Sequence, residues 1–266
     1  MRITIKLKCS PNSRLPINYN YALSAAIYKL LRFGSEDFAE FLHNIGFKNA
    51  GKTYKLFSFA LRFNKFKIQN QTIHLLEPTA FLIITSPLIE EFIQNFIVGT
   101  FAQQKIEIIS GEFKTVFYIE QIESLPPISF QNKMKFIMLS PIILSTKQKY
   151  NGKLQQYYFR YNDPMEEINR VLNQNLINKS EIIKNKEYSE DGVKIKWDEK
   201  YIQRMEAKKK RLTKKITVRK SEQIKIDLIG NQLPFEIEGD TELIKIGYEC
   251  GFGEKNSLGF GLVETN

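Results

Sequence analysis

The sequence predicts an α+β protein built from two tandem ferredoxin-like (RRM-like) βαββαβ domains, the second ending in a glycine-rich loop. One observation is the order of hydrophobic patterns in the first half: strand, helix, strand, strand, helix, strand, with an extra short helix after the first. Another is Pro126-Pro127, after which a similar order of elements begins again at Lys133, without matching residues. We therefore predict an N-terminal domain over 1–125 and a C-terminal domain over 128–266.

The elements of the first half follow from their side-chain patterns. Residues 2–8 alternate between polar and apolar side chains, as in a half-buried strand. A helix with apolar residues at helical spacing then ends at Gly34, and Ser35 is a suitable N-cap for a second short helix through Leu42. The other elements predicted here are strands at 54–66, 70–76, 104–109 and 113–122 and a helix at 87–97.

The second half has the same order with less regular patterns. A strand passes through Phe136 and continues over 141–145, and an amphipathic helix occupies 164–176. The elements predicted after it are long strands at 214–229 and 233–238, a helix starting near Asp240, and a last strand through Leu262 and Val263.

Composition restricts the partners and the compartment. The net charge is +10, and the segment from Lys194 to Lys225 has thirteen lysine or arginine residues against four acidic ones, so we expect a polyanionic partner such as nucleic acid. No apolar run approaches the roughly 18–20 residues of a membrane span. Cys9 and Cys250 are too few for a disulfide framework or a cysteine-rich metal site. We expect a cytoplasmic protein without membrane partners.

Glycine is concentrated near the C-terminus, where five of the 14 glycines lie between Gly247 and Gly261. Such density predicts either a loop whose amide groups form a cradle for an anion or a glycine-rich hairpin that closes a sheet. The spacing fits neither the Walker loop nor the dinucleotide-binding fingerprint, which argues against an ATPase or a Rossmann enzyme.

The loop resembles a known signature. Gly251-Phe252-Gly253 and Gly259-Phe260-Gly261, with five residues between them, are similar to the G-x-G-[x]n-G-x-G signature of the CRISPR-associated endoribonucleases that cut repeat RNA into guide RNAs, the sixth-numbered Cas family. This resemblance implies the tandem ferredoxin-like fold and an RNA-cleaving enzyme.

Two histidines, His43 and His74, are the side chains best suited to proton transfer near neutral pH. His74 lies in the middle of a predicted strand and is interpreted as structural. His43 follows the second helix, and its position alone suits a catalyst and a surface residue equally well.

The resemblance implies a catalytic set of Tyr28, His43 and Lys55. Lys52 is an alternative to Lys55, which we prefer because a strand is predicted to begin directly after it. Without the resemblance, Tyr28 suits an ordinary half-buried helix tyrosine as well as a catalytic one, and composition alone favours solvated side chains for Lys52 and Lys55.

The resemblance also implies a reaction in which the 2′-hydroxyl attacks the adjacent phosphorus, leaving a 2′,3′-cyclic phosphate and a 5′-hydroxyl. No cofactor and no metal are expected, because the sequence contains no H-E-x-x-H motif and no paired cysteine motif. Cleavage should therefore persist in EDTA.

The expected partner is CRISPR repeat RNA, bound by a monomer or homodimer. Other CRISPR-associated effector subunits are considered as further partners. One alternative is a non-catalytic relative that binds repeat RNA within a larger ribonucleoprotein, and a weaker one is a generic RNA-binding protein. The basic run, which is otherwise a solvated charged surface, is expected to contact phosphates. The residues expected to bind RNA are Gly247, Gly251, Gly253, Lys255, Asn256, Ser257, Gly259, Gly261, Lys208, Lys209, Lys210, Arg211, Lys214 and Lys215.

Overall fold

A computed structural model describes residues 1–219 and 225–265 and contains two larger antiparallel sheets, each packed against helices, together with smaller sheets of two or three strands. In chain order the elements of the first half are β1 (Arg2–Cys9), β2 (Arg14–Pro16), α1 (Asn20–Gly34), α2 (Glu36–Glu40), β3 (Phe47–Asn49), β4 (Lys52–Tyr54), β5 (Ser58–Phe63), β6 (Phe66–Gln69), β7 (Thr72–Leu75), β8 (Thr79–Thr85), α3 (Asn95–Gln103), β9 (Lys105–Ser110) and β10 (Phe113–Ser124). Those of the second half are β11 (Lys133–Met138), β12 (Ser145–Tyr150), β13 (Lys153–Tyr158), α4 (Met165–Lys184), β14 (Val193–Trp197), α5 (Glu199–Ala207), β15 (Thr213–Arg219), β16 (Lys225–Asn231), β17 (Phe235–Gly239), α6 (Thr241–Cys250) and β18 (Val263–Thr265).

The two larger sheets both have the ferredoxin-like strand order, which confirms the predicted fold class. The first sheet runs β5-β8-β1-β10-β9, so its first strand lies between its third and fourth, with β9 added at the edge. The second sheet runs β14-β17-β11-β18, which is the same order of second, third, first and fourth strand. α1 and α3 connect strands of the first sheet, and α4 and α6 connect strands of the second.

The alternating pattern of β1 explains its position in the first core. Ile3, Ile5 and Leu7 are each at most 1% exposed and belong to one cluster with Ile27 of α1 and Phe96 of α3. The predicted N-cap is present, since the Ser35 hydroxyl accepts a hydrogen bond from the amide of Phe38 at 3.3 Å. α2 then ends in a single π-helical turn, Phe41–Ile45.

Several predicted boundaries are wrong, and each error has a local cause. The strand predicted from residue 54 starts at Ser58, because Leu56 has a φ of 52° that interrupts the extended chain. Residues 141–144 do not continue β11. The single strand predicted over 214–229 is an antiparallel pair, β15 and β16, while residues 220–224 lie outside the described residues.

Two of the predicted helices extend further along the chain than predicted. α4 continues from the predicted end at residue 176 to Lys184, and the third predicted helix continues from 97 to Gln103. β14 and α5 were not predicted at all, although β14 forms one edge of the second sheet.

The two halves are joined by hydrogen bonds between distant parts of the chain. The guanidinium of Arg2, which is 5% exposed, donates to the carbonyl oxygens of Val263 at 2.7 Å and Tyr248 at 3.0 Å and lies over the Tyr248 ring. The Ser58 hydroxyl donates to the carbonyl oxygen of Phe260 at 2.9 Å. None of the helices in the described chain has the length and hydropathy that a bilayer crossing requires.

Candidate active site between the two halves

A cleft of about 840 Å³ lies between the two halves and takes side chains from both. From the first half it is lined by α1, the π-helical turn and the segment from Lys52 to Leu56. From the second half it is lined by the start of β12, by β13, by α4 and by residues 253–258. The cleft residues that the sequence predicted as functional are Tyr28, His43, Lys52, Lys55, Gly253, Lys255, Asn256 and Ser257.

Tyr28 and His43 meet at the floor of this cleft. Their rings contact edge to face, with centroids 5.1 Å apart and planes at 89°. Tyr28 also packs edge to face on the buried ring of Phe57. His43 is exposed in the π-helical turn, and its Nδ1 lies 2.9 Å from the Oδ1 of Asn44. The structure thus brings together the two proton-transfer groups that the sequence predicted.

Burial strongly raises the pKa of the Tyr28 phenol, and a hydrogen bond with the Ser257 side chain opposes this in part. The phenol therefore stays protonated at neutral pH. It can donate a hydrogen bond or a proton in the cleft, but it is poorly suited to act as a base.

Lys55 lies beside the histidine turn. Its ammonium donates to the carbonyl oxygens of Leu42 and, at 3.0 Å, His43. Gly46, with φ 66°, is needed here, because a Cβ at this position would lie 2.9 Å from the backbone carbonyl oxygen of Tyr54. Desolvation lowers the pKa of Lys55. Lys55 therefore supplies a partly desolvated positive charge next to the backbone of His43.

Lys52 has a different partner. Its Nζ lies 2.9 Å from the Oε1 of Glu254, whose Oε2 accepts a hydrogen bond from the Ser145 hydroxyl at 2.5 Å. Our reason for preferring Lys55 at the sequence level was wrong in one respect, because Lys52 itself opens a short strand and β5 begins three residues beyond Lys55. The choice between the two lysines thus depends on their contacts.

Four glycines of the predicted loop have positive φ and are needed because other atoms approach closely. A Cβ at Gly261 would lie 1.9 Å from the carbonyl oxygen of Phe252, and one at Gly259 would lie 2.5 Å from the Phe59 ring. Gly251 and Gly253 are equally confined by Asn256 and Ile143, while Gly247 lies inside α6 against the Phe252 ring. These glycines permit close packing within the loop and the second half, and Gly259 also permits close packing against Phe59 of the first half.

The predicted cradle of outward amides is therefore largely replaced by internal hydrogen bonds. The amides of Phe252, Glu254 and Gly261 donate to carbonyl oxygens of other segments or of the loop itself. The amides of Leu258 and Gly259 close a short 3₁₀ turn. What the loop presents to the cleft is the side chains between its glycine pairs, from Glu254 to Leu258.

The basic run lies outside the cleft. Lys208, Lys209, Lys210 and Arg211 are exposed between α5 and β15, and Lys214 and Lys215 are exposed on β15. All six belong to the described part of the chain, and none of them lines the cleft. Lys215 pairs with Asp227 at 2.8 Å. His74, in β7, also lies away from the cleft lining.

The cleft contains polar residues of α4 that sequence reasoning missed, namely Arg170, Gln174, Asn175 and Lys179. Asn175 is 3% exposed, and its Oδ1 has no hydrogen-bond partner among the described residues. A signal was available, since Asn175 and Lys179 follow Val171 at a spacing of four and so occupy the buried face of an amphipathic helix. In the described chain no three His, Cys, Asp or Glu side chains converge as a metal site.

Comparisons with known proteins agree with this architecture. Residues 14–122 match the family model described as CRISPR-associated protein Cas6, N-terminal, and residues 123–265 match the model described as CRISPR associated protein Cas6, C-terminal. A Methanocaldococcus jannaschii protein named CRISPR-associated endoribonuclease Cas6 1 is 32% identical over 264 residues, covering 99% of this chain and 92% of that protein.

Solved structures are similar over the whole chain. One described as "CRISPR associated protein Cas6" is 28% identical with a TM-score of 0.75, covering 100% of this chain and 99% of that one. Another, described as "An RAMP protein binding different RNA substrates", is 25% identical with a TM-score of 0.79 and the same coverage.

Proposed function

Because the chain belongs to the Cas6 family of CRISPR-associated proteins, we propose that its cleft binds CRISPR repeat RNA and cleaves it to generate guide RNAs. The observation that carries the proposal is the contact of Tyr28 with His43 at the floor of a cleft closed by the glycine-rich loop. The name of the M. jannaschii relative, an endoribonuclease, and the description of the RNA-binding structural relative support it.

In the proposed reaction the 2′-hydroxyl of the scissile nucleotide loses its proton and attacks the adjacent phosphorus. The bond from phosphorus to the 5′ oxygen breaks, and that oxygen takes up a proton. The products are a 2′,3′-cyclic phosphate and a 5′-hydroxyl. A base, an acid and a cation near the phosphorus are the groups that this chemistry needs.

We assign these roles to three side chains. His43 acts as general base or general acid, since its exposed imidazole can exchange protons near neutral pH. Tyr28 is its proton-donating or positioning partner, in keeping with the burial that keeps its phenol protonated. Lys55 stabilises the charge of the phosphorane from beside the histidine turn. These groups need no metal ion, so we expect cleavage to persist in EDTA.

RNA binding is assigned to two surfaces. Lys255, Asn256 and Ser257 would contact the nucleotides inside the cleft. The basic run from Lys208 to Lys215 would contact phosphates outside it, in keeping with the net charge of +10. Cys9 and Cys250 are free, buried thiols, which suits the reducing cytoplasm where we place the reaction.

The experiment that tests the proposal compares cleavage and binding in His43→Ala. Each proton-transfer group contributes about 10²–10⁴ in rate. We therefore expect single-turnover cleavage of repeat RNA to fall by at least about 10²-fold, with the dissociation constant unchanged. His74→Ala is the matched control, because His74 lies on β7 away from the cleft, and it should cleave like the parent protein.

The substrate supplies an independent arm of the same experiment. RNA with a 2′-deoxy substitution at the scissile nucleotide should bind but remain uncut, because the attacking hydroxyl is missing. If neither RNA is cut by the parent protein although both bind, the protein is the non-catalytic repeat-RNA binder instead.

A further inference from the structure

Lys179, on α4, is a buried lysine of the cleft wall that the proposed mechanism does not use. It is 1% exposed, and its ammonium donates to the carbonyl oxygens of Gly251 at 2.7 Å and Gly253 at 2.9 Å and to the Oδ1 of Asn256 at 2.8 Å. A buried ammonium is costly unless its hydrogen bonds are satisfied. Here each of its three N–H groups has one acceptor, and all three acceptors belong to the glycine-rich loop.

These contacts hold the loop at several points along its length. Asn256 extends the arrangement, because its Nδ2 donates to the carbonyl oxygens of Phe260 at 2.9 Å and Phe252 at 3.3 Å. The Lys179 ammonium is thus connected to both glycine pairs through the side-chain amide of Asn256. A buried charge is seldom more stabilising than an apolar side chain of similar volume. Its use here indicates that the direction of the loop carbonyls matters more than stability.

The held segment leads directly to the catalytic tyrosine. Ser257 follows Asn256 and lines the cleft together with Tyr28 and His43. Its carbonyl oxygen accepts a hydrogen bond from the Ser24 hydroxyl at 2.7 Å. Ser24 and Tyr28 are four residues apart on one face of α1. A change in the loop at Asn256 would therefore act on the helix that carries the phenol in contact with His43.

We propose that Lys179 is a positioning residue for RNA cleavage: its ammonium fixes the glycine-rich loop, whose contact with Ser24 positions the helix that carries Tyr28 beside His43. The inference rests on the proposed function, since it gives Tyr28 and His43 their catalytic roles. Lys179 itself does not touch the scissile phosphate. Its removal should slow the chemical step more than it weakens RNA binding.

The protonation of Lys179 gives a signature that packing alone would not. Desolvation lowers its pKa to about 8; Cys250 and Glu254, which face it, oppose this shift, and Lys52 adds to it. Above that pH the neutral amine has two N–H groups for three acceptors, so one contact with the loop is lost. The loop should change with a midpoint near this pKa, and the cleavage rate should fall over the same range.

The experiment compares Lys179→Met with Lys179→Arg, using single-turnover cleavage at saturating repeat RNA and a separate measurement of affinity. A small misplacement of reacting groups costs up to about 10²-fold, so Lys179→Met should cleave about 10–10²-fold more slowly with an affinity within about threefold. Lys179→Arg keeps a cation and should recover part of the rate. Lys184→Met is the control, because Lys184 lies on the same helix but pairs with Glu242 at the surface.

The direct readout is a pH titration of the Gly251, Gly253, Gly259 and Gly261 amide signals by NMR in the parent protein. They should shift together with a midpoint near 8, and Lys179→Arg should abolish the shift. Glycine signals that stay static over the whole alkaline range in which the protein remains folded would overturn the inference, and this holds even if Lys179→Met does not fold.

The two proposals fail in different ways. If Lys179→Met cleaves like the parent while His43→Ala is inactive, Lys179 has no positioning role and the proposed function stands. If His43→Ala cleaves like the parent, the catalytic assignment is wrong, and so is the inference that depends on it.

Discussion

At the residue scale, Lys52 and Lys55, the two lysines considered for catalysis, differ in what their ammonium groups contact. Lys55 binds the backbone of the turn that carries His43, whereas Lys52 binds a carboxylate of the opposite half. For Lys52 to reach a phosphate it must first leave Glu254. Lys55 would not have to leave a carboxylate to meet a phosphate next to the imidazole, which is why we propose Lys55 rather than Lys52 as the electrostatic catalyst.

We therefore predict unequal effects for Lys55→Met and Lys52→Met. Removing a single group that stabilises the transition-state charge costs about 10²–10³-fold, and Lys55→Met should lose that much in single-turnover cleavage. Lys52→Met should lose less than about tenfold, because an exposed ion pair contributes little. The larger loss in Lys52→Met would transfer the catalytic role to Lys52.

At the element scale, the glycine-rich loop explains why glycine is required near the C-terminus. Gly261 and Gly152 have the same φ of 75°, but a Cβ at Gly152 would meet nothing within 4 Å, whereas one at Gly261 would meet the Phe252 carbonyl oxygen at 1.9 Å. Comparing Gly152 with Gly261 therefore separates the cost of the positive φ from the cost of the close contact.

Gly261→Ala should therefore destabilise the protein more than Gly152→Ala. Both substitutions force an L residue into the left-handed region, which costs about 1–2 kcal/mol. Gly261→Ala adds an overpacking cost of about 1–3 kcal/mol. Chemical denaturation of the two variants measures the difference, and equal losses would show that the loop can move aside.

The basic run from Lys208 to Lys215, which includes the start of β15, also has a testable role. Each phosphate contact to single-stranded nucleic acid contributes about 0.7 to the slope of log affinity against log salt. Lys208→Gln/Lys209→Gln should reduce the slope by up to about 1.4, twice that value. Lys65→Gln/Lys67→Gln removes the same charge from exposed positions outside the cleft and the run, and its slope should match the parent.

Sequence patterns located the elements whose signals are local. The alternation of β1, the Ser35 cap and the Asp240 cap of α6 each depend on a few adjacent residues. The antiparallel pair β15 and β16 was missed because the intervening segment, Lys-Ser-Glu-Gln-Ile, contains no glycine, proline, asparagine or aspartate to mark a turn.

The site was predicted only in part, for a similar reason. Tyr28 and His43 could be named because the resemblance points to them individually. Lys179 and Glu254 could not be named in this way, because their roles depend on partners far away in the sequence. Lys179 and its acceptor Gly251, for example, are 72 positions apart. Spacing along a helix shows that Lys179 is buried but not which oxygens it meets.

At the scale of the whole molecule, Arg2 links the first strand to the last parts of the described chain. Its guanidinium donates to one carbonyl oxygen of the last strand, that of Val263, and to one near the end of α6, that of Tyr248. Arg62 also bridges the halves, but its pair with Glu264, at 3.6 Å, is exposed. The two arginines allow buried and exposed contacts between the halves to be compared.

Arg2→Met should lower the free energy of unfolding by about 1–3 kcal/mol for each carbonyl oxygen left unpaired. Methionine is chosen because it keeps much of the apolar volume. Arg62→Ala, by contrast, should cost less than about 1 kcal/mol. Urea denaturation of both variants tests this, and a comparable loss in Arg62→Ala would contradict the importance of burial.

The convergence of both halves on one cleft, which residues 253–258 help to line, has a consequence for how the protein is made. A ribosome delivers Tyr28 and His43 early, and the sheet around β1 is complete once β10 has emerged, well before the glycine-rich loop exists. Nascent chains and prematurely terminated products should therefore fold around the imidazole yet leave cellular RNA intact. The nuclease should become competent only after translation has passed the loop.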